Sequence, residues 1–544
     1  MDDVFGVVRT VRIKVLAMTD EQAFLDAIAA AEPDEFPRLV YADWLDEHGQ
    51  PDRAEFIRVG CELYKMHLDP GNASEEREQL LSAREDELWE RHRDRWFPGL
   101  AQCATEVFVG RGFPWRADMP VRQFLEHGDR LFRIAPTIVE VWLERFGQNA
   151  PALAQCRTLL QVQNLWFYGP VRASQAVALL ASPYLSNLRE LIFSDPGDGT
   201  MGQRGAQALG AAKSLSQLES LDVSDHVILD TGVSRILQNP GFATLQSLNL
   251  ANNRLTDRTA VSIVQAEFLS QLRTLCLGYN HLSPNGADIL CRTPHLTGLQ
   301  NFDLSGSPIG SSGALHIANA TFAPSLDALH LYECNLDDEA ITRLFETNRL
   351  QLLDVCGLSG NRPGENAFRA LAKNNGFPAL RVLSLNSSGL TPTLARCLGA
   401  VGTLPGLRIL SLTENRLMES GMRNLLAGPL LQGIQDLDLD NCRIGDGGAK
   451  ALAASQSLSS LRVLSLDGNG ITNNGAKSLA TSPFLSGLRS LSLDDNSITD
   501  KGAKSLLNSE TLAGLQRLSI DDNRLTKAVK TLVRSRFGEW SVLD

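Results

Sequence analysis

The sequence predicts an α/β solenoid preceded by a small α-helical module: a parallel sheet lines a horseshoe and the helices lie outside it. Three observations carry this expectation. A leucine or isoleucine recurs every 27 residues, at 218, 245, 272, 299, 326, 353, 380, 407, 434, 461, 488 and 515, with no slip over twelve starts. Each start opens variants of one phrase, L-x-x-L-x-L-x-x-N-x-L, followed by a Gly-Ala pair and a short apolar helix. Within a unit the period then changes. Leu464 and Leu466 are two apart and share one face of a strand, whereas Ala476, Leu479 and Ala480 recur at helical spacing. Such a unit hides its apolar side only against the next copy, so the copies stack. With strands about 4.8 Å apart, the thirteen strands read here give a concave ribbon of about 60 Å.

From the amino terminus, residues 1–17 differ from all that follows. Asp2 and Asp3 stand where a secretory signal needs basic residues, and Arg9, Arg12 and Lys14 interrupt the apolar run. Met18-Thr19-Asp20-Glu21-Gln22 opens a helix, with Thr19 as cap and Gln22 closing a capping box. Two readings stand: Met18 is the natural start, or residues 1–17 are a disordered extension. Three helices follow. Phe24, Leu25 and Ile28 mark the first, ending at Pro33-Asp34. Leu39, Val40, Trp44 and Leu45 mark the second, closed by Gly49 and Pro51, and Phe56, Ile57, Cys61 and Leu63 the third. Asp69-Pro70-Gly71-Asn72 is a loop, and a charged helix spans about 74–95 with Leu80, Leu81, Leu88 and Trp89 as its buried stripe. Residues 97–160 read as a transition and amino-terminal cap: a strand over 106–109, a turn at 111–114, and a degenerate cap strand around Ile138, Val141 and Leu143. Imperfect repeats follow at Val162-Leu165-Phe167 and Leu188-Leu191-Phe193, the latter with a loop insertion over 195–199. The solenoid is read as 161–526. A cap over 527–544 uses the helix from Lys527 to Phe537 and the segment Trp540–Leu543.

The asparagine slot is expected to be buried where the chain leaves the strand, its amide bonding backbone groups of adjacent turns. It is Asn at 253, 280, 361, 415, 469, 496 and 523, Ser at 307 and 388, Cys at 334 and 442, and His226 once. Substitutes that can all hydrogen-bond suit a structural ladder, so His226 is read as a satisfied core residue rather than a metal ligand.

Hydrophobic residues make up 43% of the 544-residue chain and charged residues 21%, ordinary for a protein that buries much of itself. A net charge of −12 opposes a phosphate footprint, so nucleic acid is not an expected partner. No apolar run reaches the roughly 18 residues that a membrane helix needs. None of the nine cysteines forms a C-x-x-C pair, and they read as buried apolar residues in a reducing compartment, which points to the cytoplasm.

The repeat resembles leucine-rich repeats of the ribonuclease-inhibitor type, over about residues 160–544. The stretches Ala23–Ile28, Arg38–Glu47 and Arg53–Arg58 are similar to the repeat-companion domain, a module found ahead of internal repeats in planctomycete bacteria. Arg111-Gly112-Phe113-Pro114 and Arg536-Phe537-Gly538 are similar to further pieces of such proteins, and residues 1–17 depart from the pattern. The resemblance makes 18–96 the companion module and implies a cytoplasmic or peripheral binding role, with no activity to transfer.

Candidate binding residues fall on the concave strand positions. Asp436, Asp438 and Asp440 alternate on one strand, and Asp440, Asp467, Asp494 and Asp521 hold the same slot in four successive repeats, with Asp495 and Asp522 beside the last two. Such carboxylates repel by about 1 kcal/mol per neighbour at ~5 Å even in water, and nothing in the core requires them. They read either as a landing strip for a basic segment or cations, or as a solvated residue copied by duplication. In mid-array Tyr279, His330, Tyr332 and Glu333 read as binding anchors or as chance placements. Cys276 and His330, two repeats apart, are too distant for a nucleophilic pair. An EF-hand over Asp436-x-Asp438-x-Asp440 fails because position six is Asn441 and position twelve Gly447. The cluster of Tyr41, Asp43, Trp44, Asp46, Glu47 and His48 reads as a charged rim on a folded helix, with Arg38, Asp43 and Arg53 in structural ion pairs. No phosphate loop, dinucleotide fingerprint, H-E-x-x-H or G-x-S-x-G is present.

The expected function is therefore a non-enzymatic protein-interaction scaffold with no cofactor and no metal. Its partner is a protein, a basic segment in particular, rather than nucleic acid or membrane; the sequence carries no sign of oligomeric state. Regulation of a GTPase or of a ubiquitin-like transferase, or service as a structural spacer, are the alternatives.

Overall fold

The structure is a computed structural model that describes residues 21–30, 34–68, 75–194, 197, 199–373, 377–402 and 404–538. The expectations for 1–17, for the Thr19 cap, for the loop 69–72, for most of the insertion at 195–199 and for Trp540–Leu543 lie outside the described residues. The chain divides into two compact units, Met1–Leu245 and Gln246–Asp544. Among the described residues no helix is long and apolar enough to cross a membrane.

The first unit begins with helices α1 (Glu21–Ala30), α2 (Phe36–Glu47), α3 (Pro51–Leu68) and α4 (Glu75–Trp96). Phe24, Ile28, Tyr41, Ala42, Leu45, Ala54, Ile57 and Cys61 form a common core of α1–α3, joined by Phe113, and Leu81 of α4 packs with Val59 and Leu63. Tyr41 is therefore a core residue and not part of a charged rim; its hydroxyl donates to Glu21 Oε1 at 2.6 Å, which also accepts from Arg53 at 2.7 Å. Asp43 and Asp46 pair with Arg58, each at 2.7 Å, rather than with Arg38 or Arg53. On α4 Leu81 and Leu88 are buried as expected, but Leu80 is 62% exposed, since it lies a full residue off the stripe.

The strands β1 (Glu106–Gly110) and β2 (Phe113–Pro120) form an antiparallel hairpin. Its turn is Arg111-Gly112 alone, at φ 53° and 80°, so Phe113 and Pro114 already belong to a strand. Beyond it β2, β3 (Glu140–Glu144), β4 (Asn164–Tyr168), β5 (Glu190–Ser194) and β6 (Ser220–Asp222) pair parallel in that order. The supposed cap strand β3 is thus a regular member. The parallel run starts at β2, followed by a helix α5 (Val121–Ile134) that the sequence reading left within a transition.

In the second unit eleven short strands run parallel in sequence order: β7 (Ser247–Asn249), β8 (Thr274–Cys276), β9 (Asn301–Asp303), β10 (Ala328–His330), β11 (Val355–Gly357), β12 (Val382–Ser384), β13 (Ile409–Ser411), β14 (Asp436–Asp438), β15 (Val463–Ser465), β16 (Ser490–Ser492) and β17 (Arg517–Ser519). With six in the first unit the described residues hold seventeen strands, fourteen of them within the span 161–526, where thirteen were expected. In the second unit a helix follows each strand, and that unit is an open leucine-rich-repeat solenoid. The central residue of every strand, from Leu248 and Leu275 to Leu491 and Leu518, is buried, and the register places each beside its neighbour.

The buried asparagines form the expected ladder. Asn361 Nδ2 donates to Leu358 O (2.9 Å) and, one repeat back, to Leu331 O (2.6 Å), while its Oδ1 accepts the N–H groups of Cys334 (3.1 Å) and Leu336 (2.9 Å). Asn280, Asn415 and Asn496 repeat the pattern. The substitutes do less. Cys334 and Cys442 donate across repeats to the carbonyls of Leu304 (3.3 Å) and Leu412 (3.1 Å), and Ser307 Oγ is buried with no partner. His226 is the satisfied core residue expected: Nδ1 accepts from Met201 N at 3.3 Å and Nε2 faces Phe193 O at 3.2 Å. Replacing Asn361 by Ala strands two backbone N–H groups and two carbonyls away from water, so a loss of about 3 kcal/mol is expected in urea denaturation of the full chain. Cys442→Ala, which removes one weak donor, should lose about 1 kcal/mol or less.

Candidate binding face

Each strand of the second unit presents its first and third residues away from the helices. A buried leucine follows (Ile520 after β17), then the residue two beyond the strand, then a residue in the left-handed backbone region, then the asparagine slot. The residue two beyond the strand is Ser305, Tyr332, Ser359, Asn386, Thr413, Asp440, Asp467, Asp494 and Asp521 in successive repeats.

The aspartates at that position do structural work. Asp440 Oδ1 accepts from Ser465 Oγ and from Asp467 N, both at 2.7 Å, in the next repeat. Asp467 does the same with Ser492 Oγ (2.6 Å) and Asp494 N (2.7 Å), and Asp494 with Ser519 Oγ (2.7 Å) and Asp521 N (2.5 Å). The backbone N–H at this bend points away from the sheet ladder, and the carboxylate of the preceding repeat satisfies it. The expectation that nothing requires these carboxylates is corrected: three of the four hold the exit bends together. Asn386 makes the same pair of bonds, to Ser411 Oγ (2.7 Å) and Thr413 N (2.9 Å), with a neutral side chain. Asp438 Oδ1 turns back to Asp440 N at 3.1 Å. Asp495 and Asp522 are exposed and left-handed, both at φ 48°.

Burial pushes the Asp440 carboxyl up to about 6, opposed by the Ser465 and Asp467 bonds. Burial also raises Asp436, Asp467 and Asp494 above the ordinary carboxylate range, with neighbouring aspartates adding to it.

In mid-array the face changes character. Tyr332 lies over Gly357, where a Cβ would come 2.4 Å from the ring, and this lets its hydroxyl reach Ser384. The His330 ring sits 5.6 Å from that of Tyr332, with Nδ1 3.3 Å from its hydroxyl. Tyr279 is 55% exposed, its ring against Gly306, and Glu333 leans on Gly360. Tyr279, Tyr332, Glu333, Asn386 and Ser387 line a shallow hollow of about 280 Å³. Burial raises both tyrosine pKa values, and the charges of Asp303 and Glu333 add to that of Tyr279, so both hydroxyls stay donors at neutral pH. His330 is beside the hollow rather than in its wall. Cys276 and His330 are held two strands apart, with Asp303 between them in register.

One feature of this face is not visible as a hydrophobic or charge pattern. The residue before the asparagine slot has positive φ in all twelve repeats, from Asp225 (66°) to Asp522 (48°). Asn, Asp and Gly tolerate this region, whereas a bulky residue there is strained. Yet Tyr279 and Glu333 hold it at 54°, and Glu414 at 59°, where it accepts from Ser387 Oγ at 2.6 Å. Two of these three residues line the hollow.

The first unit carries a second group that sequence reasoning missed. The Trp142 and Trp166 rings, adjacent in register, stack at 4.3 Å and 10°. The Arg116 guanidinium lies 3.2 Å from the Trp142 centroid and 4.0 Å from that of Phe108. Their indoles donate to Glu140 (2.7 Å) and Glu190 (3.0 Å). The signal was the tryptophan at the middle of two successive strands.

Residues 243–264, 434–453, 457–480 and 487–507 match the Leucine Rich repeat family. No curated protein matches the chain. Among solved structures it is similar to a leucine-rich-repeat protein of Leptospira interrogans, at 18% identity over 76% of this chain and 92% of that one, with a TM-score of 0.36. It is also similar to an internalin of Listeria monocytogenes, at 16% over 63% and 93%, TM-score 0.36. A third is a chain of the Rad7 and Elc1 complex of yeast, at 13% over 84% and 96%, TM-score 0.38.

The raised Asp440 pKa fixes the sign of a pH effect. Between its unfolded and folded values the native state binds more protons, so its contribution falls as pH rises from about 4 to 6 and stays unfavourable above. Asp440→Asn keeps both acceptor bonds, as Asn386 shows is workable. It should raise stability by about 1–2 kcal/mol at pH 7.5, after allowance for screening, and change little at pH 4. Parallel denaturation curves at the two pH values check this.

Proposed function

We propose that this chain is a non-enzymatic protein-interaction scaffold, and that the helix-free face of its second unit holds a basic segment of a partner protein. The hollow offers two phenol rings and the Glu333 carboxylate, and the outward positions further along the repeats carry Asp436, Asp438, Asp440, Asp467, Asp494, Asp495, Asp521 and Asp522. Phenol rings beside carboxylates suit Lys and Arg side chains, whose stems pack on the rings while their heads pair. His330 sets a second ring beside Tyr332. The repeats are read as the ribonuclease-inhibitor type, because an α-helix follows each strand, and residues 18–96 as a companion module of a cytoplasmic bacterial protein.

A single observation carries the reading. Tyr279 and Glu333 occupy a backbone position that favours Asn, Asp or Gly, and each departure costs roughly 1 kcal/mol or more. Strain retained at two positions two repeats apart, both lining one hollow, supports a role in binding rather than in folding.

Peptide display on the full chain tests it. Selected peptides should be rich in Lys and Arg, should weaken as salt is raised, and should lose at least tenfold in affinity to the Tyr279→Asn and Glu333→Gln variants. Tyr279→Asn should at the same time raise stability by about 1 kcal/mol in urea. Peptides without basic residues, or equal binding by the variants, would overturn the reading. A Tyr279→Asn protein that is less stable would make this tyrosine a packing residue instead.

A further inference from the structure

The first unit holds a cavity of about 460 Å³ where α3, α4 and the β1–β2 hairpin meet, within the size range of small-ligand sites. Two glycines bring its floor together. A Cβ on Gly112 would lie 2.4 Å from Ile57 Cα, and one on Gly60 would lie 2.5 Å from Gly112 N, so the α3 backbone rests directly on the hairpin turn. One wall is α4, where Glu78 and Glu85, two helical turns apart, face the same side. The opposite wall is aromatic. Tyr64 is covered by the Arg111 guanidinium, 4.3 Å from its centroid. Trp115 is 38% exposed and rests on Gly110, whose added Cβ would meet the ring at 3.2 Å.

The two acids differ in what answers them. Glu78 Oε1 is 3.3 Å from His67 Nε2. Glu85 Oε1 is buried without a hydrogen-bond partner, 2.8 Å from where a Gly60 Cβ would be. Burial, helped by the Asp86 charge and opposed by His67, pushes the Glu85 carboxyl up to about 7. A buried acceptor left unanswered is expensive, and a charged donor is its strongest complement.

We infer that this cavity binds a primary ammonium group carried on an apolar stem, with the Glu85 carboxylate taking the ammonium and Trp115 and Leu63 flanking the stem. An anion would meet Glu78 and Glu85 and leave the latter's orphaned oxygen unanswered. Arg111 is laid against Tyr64, and Arg38 Nη1 donates to Asp34 O at 3.2 Å, so each of these two lining cations is already engaged by a group of the chain. The site lies in the first unit and does not depend on the face proposed for the second.

Calorimetric titration of the full chain with n-butylammonium, with an acetyl-Gly-Lys-Gly-amide peptide and with 1-butanol tests the inference. At pH 8 at least one amine should bind, with a dissociation constant of about 1 mM, and butanol should not. Affinity should fall by about tenfold per pH unit below 7 as the carboxyl takes up its proton. Glu85→Gln, which preserves shape, should weaken binding at least tenfold and remove the pH dependence. Ser82→Trp, placed at the exposed rim, should block both ligands while Glu85 remains. Binding of both amines assigns the site to ammonium groups whatever carries them, and binding of the peptide alone assigns it to lysine within a polypeptide. Silence from both amines, equal binding of butanol, or unchanged binding by Glu85→Gln would overturn it.

Discussion

The second unit depends on one constraint: backbone groups that leave a three-residue strand have no partner in their own repeat. A side-chain amide placed at that bend faces both ways, giving two hydrogens to carbonyls and taking two N–H groups from the preceding turn. Asn361 and Asn415 each join two repeats in this manner, through bonds of 2.6–3.2 Å. The 27-residue period follows, because an insertion between two such residues displaces both donors and acceptors at once. Aspartates two residues before the slot repeat the logic on the outer side of the same bend, each taking one N–H from the repeat ahead. Two polar ladders and one row of buried leucines thus fix the path, and the helices close the core behind them.

Much of this architecture was legible because period and chemistry agreed. Leu464 and Leu466 set the strand, Ala476 and Leu479 the helix, and the asparagine column announced its bonding. The first unit was less legible, for physical reasons. Phe113–Pro120 carries a proline at each end of its strand, and proline argues against regular pairing. Val121–Ile134 has Gly128 at its centre, which lowers helical propensity, yet Gly128 is buried where a Cβ would come 3.1 Å from the Thr158 side chain. Tyr41 looked like part of a polar rim because its neighbours Asp43, Asp46 and Glu47 are. Only the fold brings Glu21 and Arg53 to its hydroxyl.

The candidate face was legible in its members but not in their geometry. Composition placed the aspartates on one side of the sheet, and no sequence rule says that Asp440 reaches across to the N–H of Asp467. The flat lie of Tyr332 depends on Gly357, one repeat away and 25 residues along the chain. The left-handed slot left a trace that could have been read: Asp225, Asn252, Gly306, Gly360, Asn441, Gly468, Asp495 and Asp522 are the residue types that this backbone tolerates. Against that column, Tyr279, Glu333, Ser387 and Glu414 stand out before any coordinate is known.

That column has an evolutionary corollary. Its backbone is pinned on both sides, by the strand that precedes it and by the amide bend that follows, while its side chains project away from the leucine rows. Identity there can change one repeat at a time, at a cost bounded by a single strained torsion and without renegotiating the interior. Such a chain is a ribbon of rewritable letters on an invariant spine, and descendants of one array diverge in surface chemistry before they diverge in backbone path.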